Sequence, residues 1–144
     1  MILDLLQKTF SGIYKFHRTV SFPTITYEGI SCFSLLSDSH MRYREEGNYK
    51  LGNALQYAYQ ERYFQLYRDY FVLLKSDGSI LHRFNYSPPE EKTKNVSLKF
   101  FHTHSCKNDF YNCVFSIGEN NFSTYYKITG PFKDYTIETK YIRE

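Results

Sequence analysis

Along most of this chain, apolar side chains fall at every second position, the spacing of a strand with one buried face. Between Gly12 and Phe22 the even positions Tyr14, Phe16, Val20 and Phe22 alternate with polar Lys15, His17, Thr19 and Ser21, and Pro23 ends the run. A second apolar strand is expected over 26–36. Met41, Tyr43 and Glu45 then share one face, Arg42, Arg44 and Glu46 the other, and Gly47-Asn48 reads as a turn. Residues 54–67 are rich in Tyr, and their register stays ambiguous, with room for a β-bulge. Tyr70–Lys75 runs into Asp77-Gly78, a strong hairpin signal. Ile80, His82, Phe84 and Tyr86 alternate next, followed by a polar loop over Pro88–Asn95.

The second half repeats the pattern. Val96, Leu98, Phe100, His102, His104 and Cys106 line one face, and Asp109, Tyr111, Cys113, Phe115 and Ile117 line another. Glu119-Asn120-Asn121 marks a turn before Phe122, Thr124, Tyr126 and Ile128. Gly130-Pro131 breaks the chain before Tyr135, Ile137, Thr139, Tyr141 and Arg143. Only the start departs: Leu3, Leu6 and Phe10 have near-helical spacing, which predicts a short N-terminal helix before Gly12. Nine or ten short strands with short turns predict an all-β chain. An up-and-down antiparallel β-barrel of 8–10 strands is favoured over a sandwich because closure removes exposed strand edges. With no linker, internal repeat or low-complexity tract, residues 1–144 read as one domain.

Composition agrees. Aromatic residues make up 19% of the 144 residues, with 15 Tyr, 13 Phe and no Trp, and alanine is nearly absent. Aromatic side chains pack well on a pleated surface, whereas alanine favours helix. The net charge of +3 is spread along the chain, too weak an excess to argue for nucleic acid. Tyr57, Tyr59, Tyr63 and Tyr67 beside Arg62 and Arg68 resemble a base-stacking platform, yet an aromatic barrel wall has the same pattern. No nucleic-acid partner is expected. No uncharged stretch approaches the ~20 apolar residues of a membrane helix, so no membrane partner is expected either. Met1-Ile2-Leu3-Asp4 shows no signal-peptide pattern. Cys32, Cys106 and Cys113 give an odd count without C-x-x-C spacing, which suits free thiols and a cytoplasmic location.

Several pieces carry a resemblance. Gly12-x-Tyr14 on the first strand and Tyr141-x-Arg143 on the last resemble the lipocalin and calycin barrels, in which an Arg from the last strand packs across a Trp and closes the barrel base. Tyr14 stands here in place of that Trp. Over nearly the whole chain the sequence resembles the domain of unknown function 6314 family, uncharacterised bacterial proteins similar to calycin barrels. The matching pieces are Gly12-x-Tyr14 with Arg18; Tyr43-x-Glu45-x-Gly47; Arg62-Tyr63; Asp77-Gly78 with His82; His104-x-Cys106-x-x-Asp109-x-Tyr111; and Gly130-Pro131-x-Lys133-Asp134-Tyr135 leading to Tyr141-x-Arg143. Tyr126 departs from the Trp expected there. The resemblance implies a barrel and no established activity.

Alternation turns several polar groups toward the lumen: Arg18, Glu45, His82, His104, Asp109, Tyr111 and Arg143, with Arg62 subject to the register of its strand. Buried charges need partners, so the interior holds either an internal ion-pair network or a wet ligand cavity. The favoured reading is a small-molecule-binding barrel. Arg18, Arg62 and His82 would receive an anionic or polar group, and Tyr43, Tyr111 and Tyr126 would supply walls with hydroxyl handles. The ligand-binding candidates are thus Arg18, Tyr43, Glu45, Arg62, His82, His104, Asp109, Tyr111, Tyr126 and Arg143. A cavity of about 300 Å³ or more with converging His and Arg would support this reading.

Other chemistries stay open. His102-x-His104-x-Cys106, about 6.6 Å apart along a strand, with Asp109 has the residue types of a zinc set, but a core thiol with hydrogen-bonded imidazoles is the favoured reading. No metal and no cofactor are expected. A cofactor-free enzyme would pair His104 with Asp109 or His82 with Glu45, with Cys106 as a possible nucleophile, but no local catalytic signature is present. A protein-interaction module would require an exposed apolar patch and a solid interior. Lys133, in the Gly130-Pro131 turn, would neutralise Asp134 or reach back to a strand end.

Overall fold

The computed structural model describes residues 2–87 and 98–144. The expected helix is α1 (Ile2–Thr9), with Leu6 fully buried. Ten strands follow: β1 (Gly12–Ser21), β2 (Thr24–Ser37), β3 (His40–Leu51), β4 (Ala54–Leu66), β5 (Tyr70–Leu74), β6 (Ile80–Ser87), β7 (Leu98–Cys106), β8 (Asp109–Ile117), β9 (Asn121–Thr129) and β10 (Asp134–Arg143). Each pairs antiparallel with the next, and β10 returns to β1, so the sheet is a closed barrel. The Pro88–Asn95 loop and Val96 expected from the sequence lie outside the described residues.

Two local expectations are corrected. Gly47-Asn48 is no turn: β3 runs through it, and the chain reverses at Gly52, whose φ of 61° suits glycine. Gly47 instead lies opposite Gly29 on β2, where the backbones touch. A Cβ on Gly47 would lie 2.0 Å from the Glu28 carbonyl oxygen. The Tyr-rich β4 carries no bulge against β3, and its register is unbroken from Leu51↔Ala54 to His40↔Gln65. The irregularities fall at Leu35/Ser37 and Leu73/Leu74.

The core is a stack of rings. Phe10, just after α1, is fully buried, with its ring centroid 4.8–6.1 Å from those of Phe33, Phe64, Phe71, Phe115 and Phe122. Burying one such side chain is worth roughly 1.5–3 kcal/mol. Together these rings plug one end of the barrel. Arg143 fastens the plug. It sits opposite Tyr14 with its guanidinium carbon 4.7 Å from the ring centroid. It donates to the Ser11 carbonyl at 2.8 Å, to the Lys8 carbonyl at 2.7 Å and to the Tyr14 hydroxyl at 2.7 Å. The Lys8 carbonyl belongs to the last turn of α1, where carbonyls lack helical partners and a cation is favoured.

Candidate functional site

Above the ring plug the lumen is not filled. A cavity of about 230 Å³ remains, lined on its apolar side by Phe64, Leu73, Phe115, Phe122 and Ile137. Its polar lining comes from β1, β3, β4, β9 and β10: Arg18, Tyr43, Glu45, Gln60, Arg62, Thr124, Tyr126, Thr139 and Tyr141. The volume falls below the ~300 Å³ at the lower end of drug-sized sites, so the space suits a smaller molecule. Two arginines converge on it and no histidine does.

One wall is a closed hydrogen-bond network. Arg18 grips Glu45 with two bonds, Nη1 to Oε2 at 2.8 Å and Nη2 to Oε1 at 2.9 Å. Its Nε donates to Thr139 Oγ1 at 2.8 Å, and Nη2 also reaches the Tyr141 hydroxyl at 3.2 Å. Tyr43 donates to Glu45 Oε1 at 2.7 Å. The Glu45 side chain is only 2% exposed. A carboxylate buried so far persists because every nearby donor points at it. Burial pushes the Tyr43 hydroxyl well above its ordinary pKa, and Tyr141 and Glu45 add to the effect, so it stays protonated as a donor.

Arg62 stands on the neighbouring strand, opposite Tyr43. Its bonds go only to neutral oxygens. Nη1 donates to the Glu61 carbonyl at 2.9 Å. With the Gln60 amide oxygen turned toward it, Nε and Nη2 donate there at 3.2 and 3.1 Å. Among the described residues it has no carboxylate partner. Burial raises the Tyr126 hydroxyl pKa, with Cys113 and Tyr141 adding, while the charges of Arg18 and Arg62 pull it down.

Five of the ten candidates therefore meet in the cavity: Arg18, Tyr43, Glu45, Arg62 and Tyr126. The other five lie away from the cavity lining, and His104 is exposed. Arg143 is spent on the base clamp. Asp109 and Tyr111 are held by Lys133, whose Nζ lies 3.0 Å from Asp109 Oδ2 and donates to the Tyr111 hydroxyl at 3.1 Å. Lys133 thus reaches back to the start of β8, and Asp134 pairs instead with Lys127 at 2.7 Å.

His82 and His104 belong to an imidazole cluster with His102, ring centroids 4.5 Å apart for His82–His102 and 6.1 Å for His102–His104. The cluster sits where β6 and β7 part, since their ladder spans only Asn85–Ser87 against Lys99–Phe101. His102 Nδ1 lies 2.9 Å from the Arg83 carbonyl, an acceptor, so Nδ1 carries the proton. Burial, followed by the charges of His102 and His104, pushes His82 down to about 4. Both imidazoles of the close pair are therefore neutral at pH 7. No group of three or more His, Cys, Asp or Glu among the described residues is placed to hold a metal ion, and Cys106 is exposed. The acid–base pairs envisaged for an enzyme do not form: Asp109 answers to Lys133, and Glu45 to Arg18 and Tyr43.

Sequence reasoning passed over Gln60, Thr124, Thr139 and Tyr141. The last three lie on the alternating inner faces of β9 and β10, so their direction was legible. Neutral hydroxyls simply do not stand out as chemistry. Gln60 was hidden by the unsettled register of β4.

Solved structures similar to this chain are β-barrels. One described as "EF1p2_mFAP2b bound to DFHBI" has a TM-score of 0.52 at 9% identity, covering 95% of each chain. A redesigned barrel, mFAP1, also bound to DFHBI, has a TM-score of 0.52 at 10% identity, covering 95% of this chain and 97% of that one. A third redesigned barrel, b11L5F_LGL, has a TM-score of 0.51 at 8% identity, covering 96% and 94%. At such identities the likeness concerns the fold alone. No curated protein matches the chain. A family model described as "Family of unknown function (DUF6314)" matches residues 10–143, and the chain belongs to that family.

Proposed function

We propose that this barrel binds a small polar or anionic molecule in its central cavity. The carrying observation is an unfilled cavity whose lining sets polar groups, Arg18, Tyr43, Glu45, Arg62 and Tyr126 among them, beside apolar Phe64, Leu73, Phe115, Phe122 and Ile137. Fixed polar groups on an apolar lining are what orient a bound ligand. Two barrels of this fold are bound to DFHBI, which supports the reading. The interior is not solid, so the condition set for an interaction module is not met.

Native mass spectrometry of protein purified without denaturation tests the proposal. A co-purified small molecule is expected, lost in Thr124→Phe, whose larger ring fills the cavity. No adduct, together with no chemical-shift change at cavity residues against a panel of small fragments, would overturn it.

A further inference from the structure

The cavity holds two guanidinium groups in unlike states. Arg18 faces a carboxylate at 2.8 Å that cancels its charge. Arg62 lines the same space, and its three bonds reach one backbone carbonyl and one side-chain amide. An arginine carries five N–H donors in a rigid fork, so two remain, one on each terminal nitrogen. A cation left beside apolar rings without a counter-charge is costly, and a carboxylate matches the free ends of the fork.

We propose that the ligand is a small organic monoanion, a carboxylate on a flat apolar body, and that Arg62 is its counter-ion. This deepens the ligand-binding reading above and rests on it. The body of the ligand follows from the apolar part of the lining. Phe64, Phe115 and Phe122 offer ring faces and edges, Leu73 offers methyl groups, and none of the four offers a hydrogen bond. About 230 Å³ is the bulk volume of roughly seven or eight waters, room for one ring with its acid group. The single charge follows from the count of guanidinium groups: of the two arginines that line the cavity, only Arg62 lacks a carboxylate partner among the described residues. Tyr126 and Thr124 supply hydroxyls for the remaining lone pairs of the acid. Arg18 is excluded as the recognition group because displacing Glu45 from it would strand a buried carboxylate.

Benzoate and benzamide have nearly the same shape and differ in charge, so they test the proposal on the full chain by NMR titration at neutral pH. Benzoate is expected to bind at least tenfold more tightly than benzamide, with shifts centred on Arg62, Tyr126 and Thr124. Arg62→Gln should reduce benzoate to the affinity of benzamide, and Arg62→Lys should recover part of the preference. Equal binding of both probes to the wild type, or a preference that survives Arg62→Gln, would overturn the anion assignment while leaving the cavity a binding site. If neither probe shifts any cavity residue, the acid assignment fails, and the binding reading is decided by the adduct and the fragment panel above. The wild-type comparison decides the matter even if Arg62→Gln does not fold.

Discussion

Single residues carry the strongest electrostatic commitments. Glu45 is the acid on which three donors converge, two from the Arg18 guanidinium and one from the Tyr43 hydroxyl, while Thr139 and Tyr141 accept from Arg18 and hold it in place. Removing one partner of a buried ion pair leaves the other uncompensated, at a cost of roughly 3–5 kcal/mol. Glu45→Gln should therefore lower unfolding stability by at least about 3 kcal/mol in urea. The double change Arg18→Met with Glu45→Met should recover most of that loss. A loss below about 1 kcal/mol would mean that the pair behaves as a solvated surface pair. His82 makes a pH prediction. The unfolded imidazole takes up its proton near pH 6.5, whereas the folded one does so only at about 4. Stability is thus full above pH 6.5, declines as pH falls through that window, and levels off below it. His82→Gln should flatten the decline in melting temperature between pH 7 and pH 4. An identical decline in the variant would assign it to other groups.

At the level of elements, β2, β3 and β4 are long strands joined by tight reversals, and β2 and β3 approach closely at a cross-strand glycine pair. Gly29 and Gly47 let two backbones approach to a distance no side chain tolerates. Gly47→Ala should spread β2 from β3 and cost about 3 kcal/mol, the upper end of ordinary overpacking. Circular dichroism melts measure it, and an unchanged melt would show that the strands slide apart cheaply. This pair also marks a limit of reading from sequence. Glycine serves turns and close contacts alike, and before an Asn it looked like a turn, while its real partner lay 18 positions away on another strand. The β4 register was unreadable for a related reason: Tyr57 and Tyr59 are exposed tyrosines on a strand whose inner face also bears large side chains. A residue both apolar and hydroxylated blurs the two-residue period. Where side chains are plainly one or the other the period holds, as at Tyr14 and Phe16 in β1 and at Phe84 in β6, but Phe22, past the end of β1, and Ile80, beside the register shift at Leu73/Leu74, are exposed.

For the whole molecule, alternation turns core residues such as Tyr14, Phe84, Phe115 and Phe122 inward but does not say how far along the axis each side chain sits. By alternation alone His82, His104, Asp109 and Arg143 group with Arg18 and Glu45, yet His104 is exposed. The barrel distributes them among a seam, a turn and a base. Height along the axis comes from register between strands distant in sequence, which no local pattern encodes. The base clamp was the exception, because two short pieces near opposite ends, Gly12-x-Tyr14 and Tyr141-x-Arg143, name each other.

That pairing has a consequence for synthesis. β1 finds its second neighbour only in β10, with Tyr14 opposite Arg143. Until the ribosome has released residues 134–143, the first strand is an open edge and the Phe10 plug lacks its fastener. While residues 12 to 133 are out and β10 is not, the barrel has open edges able to pair with a neighbour's, and that exposure ends only when β10 emerges.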